Sequence, residues 1–316
     1  MISVIVPTRN PHPGRLAQTL AGLAAQTLST SDWEVLLVDN GSDAPLKDAA
    51  LTCLSAATRV IRESSIGLTP ARLAGINAAR GEVVVFVDDD NVLDRGYLTA
   101  VEKSFAARPT LGAAGGPVVP VWESTPPEWT QEFHGLLALR DLGPEVRIAQ
   151  GGAREPWPHF APVGAGLAVR RWHALAYAEA VTRDPRRGRL DRSAGNLSSG
   201  GDNDLVFTTL HAGGDVAYLP DLKLRHLIPQ TRLQPAYLAR LNRGIMRTWV
   251  QVLALHGQCP WPAISRVSVP LRAARAYLRA RAWRGPAERV RWAGMLGQFE
   301  GQADSAHAFA ERPLHM

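Results

Sequence analysis

Short apolar runs alternate with helical patterns over the first 110 residues of the chain. The runs span residues 2–7, 35–38 and 83–87, and leucines recur at helical spacing between the first two, at positions 16, 20 and 23. Continuous apolar runs separated by helices are typical of parallel strands that are buried on both faces. The pattern therefore predicts an α/β fold with a mostly parallel central sheet flanked by helices.

A further helix is predicted before the third apolar run. Thr69 and Pro70 supply a capping hydroxyl and a proline at the first helical position, and Gly81 stands where this alanine-rich helix should end. Ligands of such sheets bind in the crevice beyond the carboxyl ends of the strands. Asp39 and residues 88–90 follow the second and third runs, so both are predicted at that edge.

The composition of the chain changes after residue 110. Residues 115–162 are rich in proline, glycine and tryptophan, so regular elements should be short there. Asp202 opens a helical stretch that closes at Gly213, and the pattern beyond His226 is mainly helical. We predict three segments, spanning residues 1–115, 116–230 and 231–316.

Composition predicts a globular protein of the cytoplasm. Hydrophobic residues make up 46% of the 316 residues, enough for a sizeable core. No apolar stretch approaches the roughly 20 residues that cross a bilayer, and the first apolar run follows no basic leader. The two cysteines, Cys53 and Cys259, are too few for a disulfide framework or a zinc site.

The net charge of +6 is unevenly distributed. Residues 265–292 contain eight arginines and a single acid, Glu288. A basic block of this kind indicates an anionic partner, either a membrane surface or a polyanion. The alternative is an ordinary solvated helix face in a chain that uses arginine far more than lysine.

Three consecutive aspartates, Asp88, Asp89 and Asp90, end the third apolar run. Like charges at this spacing repel each other unless a cation neutralises them. If strand geometry persists, Asp88 and Asp90 point the same way and Asp89 points away. Oxygen ligands at a strand end suit Mg²⁺ or Mn²⁺, which also bind phosphate oxygens. The alternative is a solvated acidic turn.

Two common classes of nucleotide-binding enzyme are disfavoured by the absence of glycine-rich phosphate loops. The chain has neither G-x-G-x-x-G after the first run nor G-x-x-x-x-G-K, which argues against a dinucleotide dehydrogenase and a P-loop enzyme. A diphosphate would instead be neutralised by a metal held by acids, together with Arg72 on the helix after Pro70.

The ordered motifs of the first 233 residues resemble those of family 2 glycosyltransferases with the GT-A fold. The resemblance rests on ISVIVPTRN, WEVLLVDNGSD, ARLAGINAARGEVVVFVDDDNVL, PVGAGLAVRR, DRSAGNLSSGGDNDL and AYLPDLKLRHLIPQTRL. It implies a nucleotide-sugar-binding segment 1–115, an acceptor and catalytic segment 116–230, and a helical extension 231–316. It further implies Mn²⁺ or Mg²⁺ as cofactor, a nucleotide diphosphate sugar as donor, with UDP favoured and GDP and dTDP as alternatives, and inversion at the anomeric carbon.

The resemblance assigns the donor and metal sites residue by residue. Thr8 and Asp39 match the nucleotide base pocket, and Arg72 matches a position near the base or diphosphate. Asp88 would face the ribose, whereas Asp90 would bind the metal, joined in some members by a histidine that matches His226. The full predicted nucleotide-sugar site comprises Pro7, Thr8, Asp39, Arg72, Asp88, Asp89, Gly164, Ala165 and Gly166, the last three beneath the donor sugar.

Asp202 matches the catalytic base of inverting family members. An ionised aspartate is favoured at a helix start by the helix dipole, although capping is its commonest role there. Many members carry an acid just before the base, where this chain has Gly201. A frame shifted by one would place Asn203 at the base position, with Asp204 as the other candidate. For His226 the alternative to a metal ligand is an ordinary packed histidine.

Aromatic residues suggest where the acceptor binds and indicate a further contact surface in the C-terminal segment. Tryptophans at 122, 129 and 157 could pack on a sugar or an apolar acceptor, although most tryptophans are core residues. The arginine- and tryptophan-rich C-terminal segment could lie on an anionic membrane and meet a lipid-linked acceptor, or form a lid or dimer surface.

Two other functions compete with glycosyl transfer. A sugar-1-phosphate nucleotidyltransferase would carry a glycine-rich loop after the first strand, where this chain has residues 7–10, PTRN. A non-catalytic nucleotide or polyanion binder would not need a base, and the acidic pocket would repel nucleic acid, so no nucleic acid partner is expected.

Overall fold

The computed structural model describes residues 1–46, 52–193 and 195–310. The strands are β1 (Ile2–Thr8), β2 (Trp33–Asp39), β3 (Ala57–Arg62), β4 (Val83–Phe86), β5 (Asn91–Leu93), β6 (Leu111–Gly115), β7 (Val118–Trp122), β8 (Arg147–Ala149), β9 (Ala168–Arg170), β10 (Asp215–Tyr218) and β11 (Leu224–Ile228). The α-helices are α1 (Pro13–Ala24), α2 (Leu68–Ala78), α3 (Tyr97–Ala107), α4 (Arg171–Arg183), α5 (Gly201–His211), α6 (Pro235–Leu255), α7 (Val269–Arg279) and α8 (Pro286–Ala310). Short 3-10 helices lie at Glu128–Leu137, Arg187–Arg189, Gln230–Leu233 and Arg266–Ser268.

The main sheet has the strand order β3-β2-β1-β4-β9-β6-β10-β8. Strands β3, β2, β1 and β4 run parallel to each other, as do β6 and β10, whereas β9 is antiparallel to both of its neighbours. The predicted α/β class with a mostly parallel central sheet is therefore confirmed. Antiparallel β9 brings the loop before it to the carboxyl end of β4.

Both faces of the sheet are buried, as the continuous apolar runs predict. Along β1, Val4 and Val6 belong to one hydrophobic cluster, whereas Ile5 between them belongs to the other. All three side chains are fully buried because neighbouring side chains of a strand point to opposite faces. The predicted leucine helix is also present as α1, in which Leu16, Leu20 and Leu23 are buried.

Helix α2 begins two residues earlier than predicted. Its first residue is Leu68, and its N-cap residue is Gly67 rather than Thr69. Gly67 has φ of 149°, a conformation that favours glycine, and its amide donates to Asn40 Oδ1 at 2.7 Å. The start of the helix is thus set by a contact with the residue after β2, which a local pattern does not reveal.

A three-stranded sheet of order β5-β11-β7 adjoins the segment that follows β4. β11 pairs antiparallel with β5, with His226 opposite Asn91, and parallel with β7. Because β5 starts immediately after the three aspartates, this pairing brings a strand from residues 224–228 to the acidic cluster.

The C-terminal segment is mainly helical, as predicted. Helices α6 and α8 pack closely because glycines in α8 face the α6 backbone: a Cβ at Gly297 would lie 2.1 Å from the Arg243 carbonyl oxygen. The Arg247 guanidinium, on the next turn of α6, pairs with Asp304 of α8 at 2.7 Å. Backbone proximity and ion pairs together hold the two helices.

Backbone contacts divide the chain into two compact units. The first comprises residues 1–123, 138–189 and 202–228, and the second comprises 124–137, 190–201 and 229–316. The division into donor, acceptor and C-terminal segments concerns function and stays a prediction. In the described part of the chain, no helix combines the length and hydrophobicity that crossing a membrane requires.

Candidate active site

Three strands end side by side at the predicted ligand edge of the sheet. Thr8, the last residue of β1, lies opposite Asp39, the last residue of β2, and Pro7 lies opposite Val38. On the other side of β1, the pairing with β4 ends at Phe86. Parallel strands therefore bring Pro7, Thr8, Asp39 and the three aspartates to one edge.

The aspartate cluster forms a turn and does not continue the strand. The Asn91 amide donates to the Asp88 carbonyl oxygen at 3.0 Å. The alternation expected if strand geometry persists therefore does not apply, because the residue pairs with β1 end at Phe86, the Val87 amide donates once more to the Ile5 carbonyl oxygen, and the chain then turns. Asp89, predicted to point away, accepts a hydrogen bond from the Thr8 hydroxyl. Asp88 and Asp89 are half-buried, and Asp90 is buried.

Asp90 and His226 come together as the resemblance implies. Asp90 Oδ1 lies 3.5 Å from His226 Nε2, and the two residues are 3% and 5% exposed. The pair is held by backbone contacts: the Leu227 amide donates to the Asp90 carbonyl oxygen at 2.9 Å, and His226 faces Asn91 across the β5–β11 pairing.

The Asp90–His226 pair fits a divalent cation that is shared with a phosphate ligand. Within the described ranges, no group of three or more His, Cys, Asp or Glu side chains could hold a metal by itself. Mg²⁺ in phosphate-transfer sites commonly takes only one or two protein ligands and fills its remaining positions with phosphate oxygens and water. A carboxylate oxygen such as that of Asp90 also suits Mn²⁺.

Asp39 is almost fully buried and organises the loop after β2. Its Oδ1 accepts from the Ser42 amide and its Oδ2 from the Leu46 amide, each at 3.0 Å, and the Arg62 guanidinium pairs with Oδ2. Burial acts to raise the pKa of Asp39, but the hydrogen bonds from Ser42, Leu46 and Arg62 outweigh it and lower this pKa below its usual value. A carboxylate at this position is therefore ionised, and its role at a nucleotide base stays a prediction.

Arg72, Gly164 and Asp202 converge from three separate elements. The Gly164 amide donates to Asp202 Oδ2 at 2.8 Å. A Cβ at Gly164 would lie 2.8 Å from Arg72 Nη2 and 2.9 Å from Asp202 Oδ2, so a larger residue here would require the ends of these side chains to shift. The Arg72 guanidinium carbon also lies 5.6 Å from the centre of the Phe86 ring. A cation, a carboxylate and a glycine amide thus meet near the end of β4.

The loop formed by residues 164–166 lies beside β4. The Phe86 amide donates to the Leu167 carbonyl oxygen at 2.9 Å, Ala165 is buried, and Gly166 has φ of 73°. The buried phenol of Tyr97 donates to the Gly166 carbonyl oxygen, and burial raises the pKa of Tyr97, which keeps it a donor. Sequence reasoning missed Tyr97, because a tyrosine at the start of a helix carries no signal for a contact 69 residues away.

The two candidate bases occupy different environments. Asp204 is fully buried, and its Oδ1 pairs with Arg187 Nη1 at 2.6 Å. Asp202 is half-buried, its Oδ1 accepts from the Asn203 amide at 3.0 Å, and its Oδ2 binds the Gly164 loop. Only Asp202 combines partial exposure with contact to the predicted donor loop. As predicted, Asp202 lies in the first turn of a helix, α5.

The presence of glycine at position 201 is explained by its contact with Asp191, a residue that the sequence analysis did not single out. Asp191 is 3% exposed, and its Oδ1 accepts from the Gly201 amide at 3.0 Å. A Cβ at position 201 would lie 2.2 Å from Asp191 Oδ2. The Asp191 carboxylate therefore occupies the space where a side chain at position 201 would begin.

The three tryptophans predicted on the acceptor side have different surroundings. Trp157 packs on Phe207 of α5, with ring centres 4.6 Å apart, and Trp129 contacts Phe133 edge-on at 6.1 Å. Trp122 is the last residue of β7 and is half-buried. Their role toward an acceptor stays a prediction.

Comparisons with known proteins identify relatives over much of the chain. Succinoglycan biosynthesis protein ExoM from Rhizobium meliloti is 26% identical over 249 residues, 76% of this chain and 71% of that protein. An N-acetylglucosaminyltransferase from Bradyrhizobium diazoefficiens is 28% identical over 255 residues, 78% of this chain and 49% of that protein. An uncharacterized protein from Sinorhizobium fredii, y4gI, is 33% identical over 113 residues, and the match spans 34% of this chain but only 12% of that protein.

A structural comparison and a family profile also match the chain. The crystal structure of S. aureus TarS residues 1–349 covers 98% of this chain and 91% of that chain, with 14% identity and a TM-score of 0.49. The profile of the family described as Glycosyl transferase family 2 matches residues 3–171, more than half of the chain. With this match and its mostly parallel α/β sheet, the chain belongs to glycosyl transferase family 2 and is a glycosyltransferase of the GT-A fold.

Proposed function

We propose that this glycosyltransferase moves a sugar from a nucleoside diphosphate sugar, a UDP-sugar, to an acceptor hydroxyl with inversion at the anomeric carbon. The observation that carries the proposal is the convergence of Asp202, Gly164 and Arg72 beside Phe86, the last residue of β4. The convergence supports the proposal because a carboxylate that can serve as base and a cation both lie close to the loop that resembles the family's donor-sugar loop. UDP and inversion come from the family resemblance.

The donor is proposed to lie along the carboxyl ends of β1, β2 and β4. Its nucleoside would contact Pro7, Thr8, Asp39 and the Asp88–Asp89 pair, and its sugar would lie on residues 164–166. The Arg72 guanidinium would balance the charge of the diphosphate, since a fixed cation close to the leaving group stabilises the negative charge that develops there.

Asp90 and His226 are proposed to hold Mg²⁺ or Mn²⁺. When bound, the cation would stabilise negative charge on the departing diphosphate as a Lewis acid. The protein's own contribution is to bury the two side chains and to hold them 3.5 Å apart through the β5–β11 pairing. Ordering ligands before binding lowers the entropic cost of forming the site.

Asp202 is proposed as the general base. Its carboxylate takes the proton of the acceptor hydroxyl, while that oxygen bonds to the anomeric carbon and the bond from this carbon to the diphosphate oxygen breaks. The Gly164 amide orients Oδ2, and the start of α5 favours the ionised carboxylate. Asp204 is proposed to stabilise the folded protein and not to act as the base, because its ion pair with Arg187 is buried.

The proposed acceptor is a saccharide, free or linked to a lipid. A relative named for succinoglycan biosynthesis supports a saccharide, and the residues 116–230 that carry Trp122 and Trp157 are its proposed binding side. An anionic membrane is a further proposed partner of the C-terminal segment. The cytoplasmic location expected from the sequence stays a prediction.

The donor is tested by thermal unfolding with UDP, GDP and dTDP, each with and without Mn²⁺. A ligand that binds only the folded protein stabilises it by about 2.7 kcal/mol at a hundred times its Kd. We expect UDP with Mn²⁺ to raise the Tm by several degrees, and UDP alone to raise it much less. Release of UDP from UDP-sugars in the presence of a saccharide acceptor then measures turnover.

Each outcome of this experiment has a defined meaning. A rise with GDP or dTDP in place of UDP would correct the nucleotide and keep the donor site. A metal-dependent rise without turnover of any sugar would favour a binding module. No rise with any nucleotide, with the metal present, would contradict the proposed donor site.

A further inference from the structure

Helix α7 carries an apolar stripe on its solvent-exposed side. The stripe consists of Leu271, Ala274 and Leu278, which are spaced by three and four residues and so lie on one face of the helix, and Val267 precedes it in the 3-10 helix Arg266–Ser268. Val267 is 86% exposed, Leu271 56% and Leu278 63%. Trp283, just beyond the helix, is 54% exposed. Leucines at helical spacing normally face a core, so an exposed stripe of this kind marks a contact surface.

The opposite side of α7 is held by α8. The Trp292 indole donates to the Ala273 carbonyl oxygen at 3.0 Å and packs edge-on against Tyr277, with ring centres 5.2 Å apart. Ala276 is buried on this side. Because α7 is anchored through these contacts, its orientation is set and the apolar stripe faces outward.

Arginines surround the apolar stripe. Arg272, Arg275, Arg279, Arg281 and Arg284 are all exposed, and the sequence contains no Asp or Glu between residues 265 and 287. An apolar face flanked by cations matches the boundary of an anionic bilayer, where the apolar side chains enter the acyl region and the cations meet the headgroups. A second copy of the chain is disfavoured as the partner, because two such surfaces would bring the arginines of both copies together.

We propose that the α7 stripe and its arginines dock this protein on an anionic lipid bilayer. The docking is peripheral, since only one helix face takes part. It does not depend on which sugar or nucleotide the enzyme uses, so its success or failure is separate from that of the proposed donor site.

The docking is tested by co-sedimentation with vesicles of phosphatidylcholine alone and of phosphatidylcholine with 30% phosphatidylglycerol. We expect pelleting only with the anionic vesicles, and less of it as salt is raised. The Leu271→Ser, Leu278→Ser double variant should lower the partition coefficient at least about tenfold, since two leucines no longer enter the membrane. The Arg275→Gln, Arg279→Gln variant should weaken binding and reduce its salt dependence.

The exposed residue Val146 provides a matched control. Val146 is 53% exposed and lies far along the chain from α7, so Val146→Ser should pellet like the unmodified protein. Unchanged pelleting by the double leucine variant, or no pelleting with anionic vesicles, would overturn the proposal. If light scattering shows that the unmodified protein is a dimer and the double leucine variant is a monomer, the stripe contacts a second copy of the chain instead of a membrane.

Asp191 contacts the start of α5, and the role inferred for it rests on the proposed role of Asp202. We infer that Asp191 is a positioning residue for the first turn of α5. Its buried carboxylate holds the Gly201 amide at 3.0 Å, one residue before Asp202. Since Gly201 has no side chain, the Asp191 carboxylate can approach this amide directly.

The test separates positioning from folding by comparing kcat, KM and Tm. Asp191→Ala should lower kcat about tenfold and leave the donor KM and the nucleotide-induced rise in Tm unchanged, whereas Asp191→Asn keeps an acceptor for Gly201 and should recover most of kcat. Gly201→Ala should lower the Tm, because its Cβ would lie 2.2 Å from Asp191 Oδ2. The same change should be tolerated in the Asp191→Ala background, where that atom is absent.

Two results would overturn the role of Asp191. Either Asp191→Ala retains the kcat of the unmodified enzyme, or Asp191→Asn and Asp191→Ala lose kcat equally. Failure of the unmodified enzyme to turn over any nucleotide sugar would instead contradict the proposed function itself.

Discussion

Replacing Asp202 with asparagine is expected to lower kcat by about 10² to 10⁴-fold, the usual contribution of a general base. Asparagine preserves the size of the side chain and can still accept from the Gly164 amide, but it cannot take a proton. The Tm rise with UDP and Mn²⁺ should therefore be retained. Turnover and thermal shift measured on the same preparation separate loss of chemistry from loss of donor binding.

Asp204→Asn is the matched control for this prediction. Asp204 lies two residues further along the same helix but is fully buried and paired with Arg187 at 2.6 Å. Removing its charge leaves a largely buried guanidinium without its counter-ion, a change that typically costs about 3–5 kcal/mol of folding free energy. We expect a lower Tm with kcat per folded molecule nearly unchanged. If Asp204→Asn abolishes kcat and Asp202→Asn does not, the base is Asp204.

Asp90→Asn is expected to weaken Mn²⁺ binding at least about a hundredfold, because even residues behind the metal ligands contribute 10–100-fold to affinity. The metal-dependent part of the UDP thermal shift should disappear, and turnover with it. A titration of Mn²⁺ at fixed UDP, followed by Tm, measures the effect. His226→Gln should weaken Mn²⁺ binding less than Asp90→Asn does, since the Asp90 carboxylate that remains carries the negative charge that attracts the cation.

The control for the metal site is Asp94→Asn. Asp94 lies four residues after Asp90, just beyond β5, so its replacement makes the same change in net charge outside the Asp90–His226 pair. It should leave the Mn²⁺ titration unchanged. If both variants lose Mn²⁺ affinity equally, the loss reflects a general effect of charge. If Asp90→Asn leaves the Mn²⁺ titration unchanged, Asp90 is not part of the metal site.

The aspartate cluster shows where sequence reasoning stops. Its position at the end of β4 was predictable, because an apolar run that meets acids marks the end of a buried strand. The direction of each side chain was not, because it depends on where pairing with β1 ends. The Val87 amide still donates to Ile5 of β1, the chain then turns at the aspartates, and Asp89 meets Thr8, 81 residues earlier in the chain.

Contacts between distant segments also account for the other features of the structure that the sequence did not predict. Tyr97 and Asp191 hold the backbones of Gly166 and Gly201, yet neither is part of a recognisable motif. Helix α2 begins at Leu68 because Asn40 holds Gly67. In each case the deciding contact joins residues that are far apart in sequence or lie in an irregular loop, where periodicity carries no information.

The sequence by itself determined the class of the fold, the family and the identity of the candidate residues. Hydrophobic periodicity, strand-end carboxylates and helix starts are properties of short stretches of sequence. The motifs of the family can likewise be recognised from their order along the chain. Tertiary structure decided which of these residues lie together: it buried Asp204 against Arg187, brought His226 to Asp90, left Asp202 half-buried against the Gly164 amide, and turned the apolar stripe of α7 outward. The physical reason is that burial, ion pairing and exposure depend on what the rest of the chain packs against each residue.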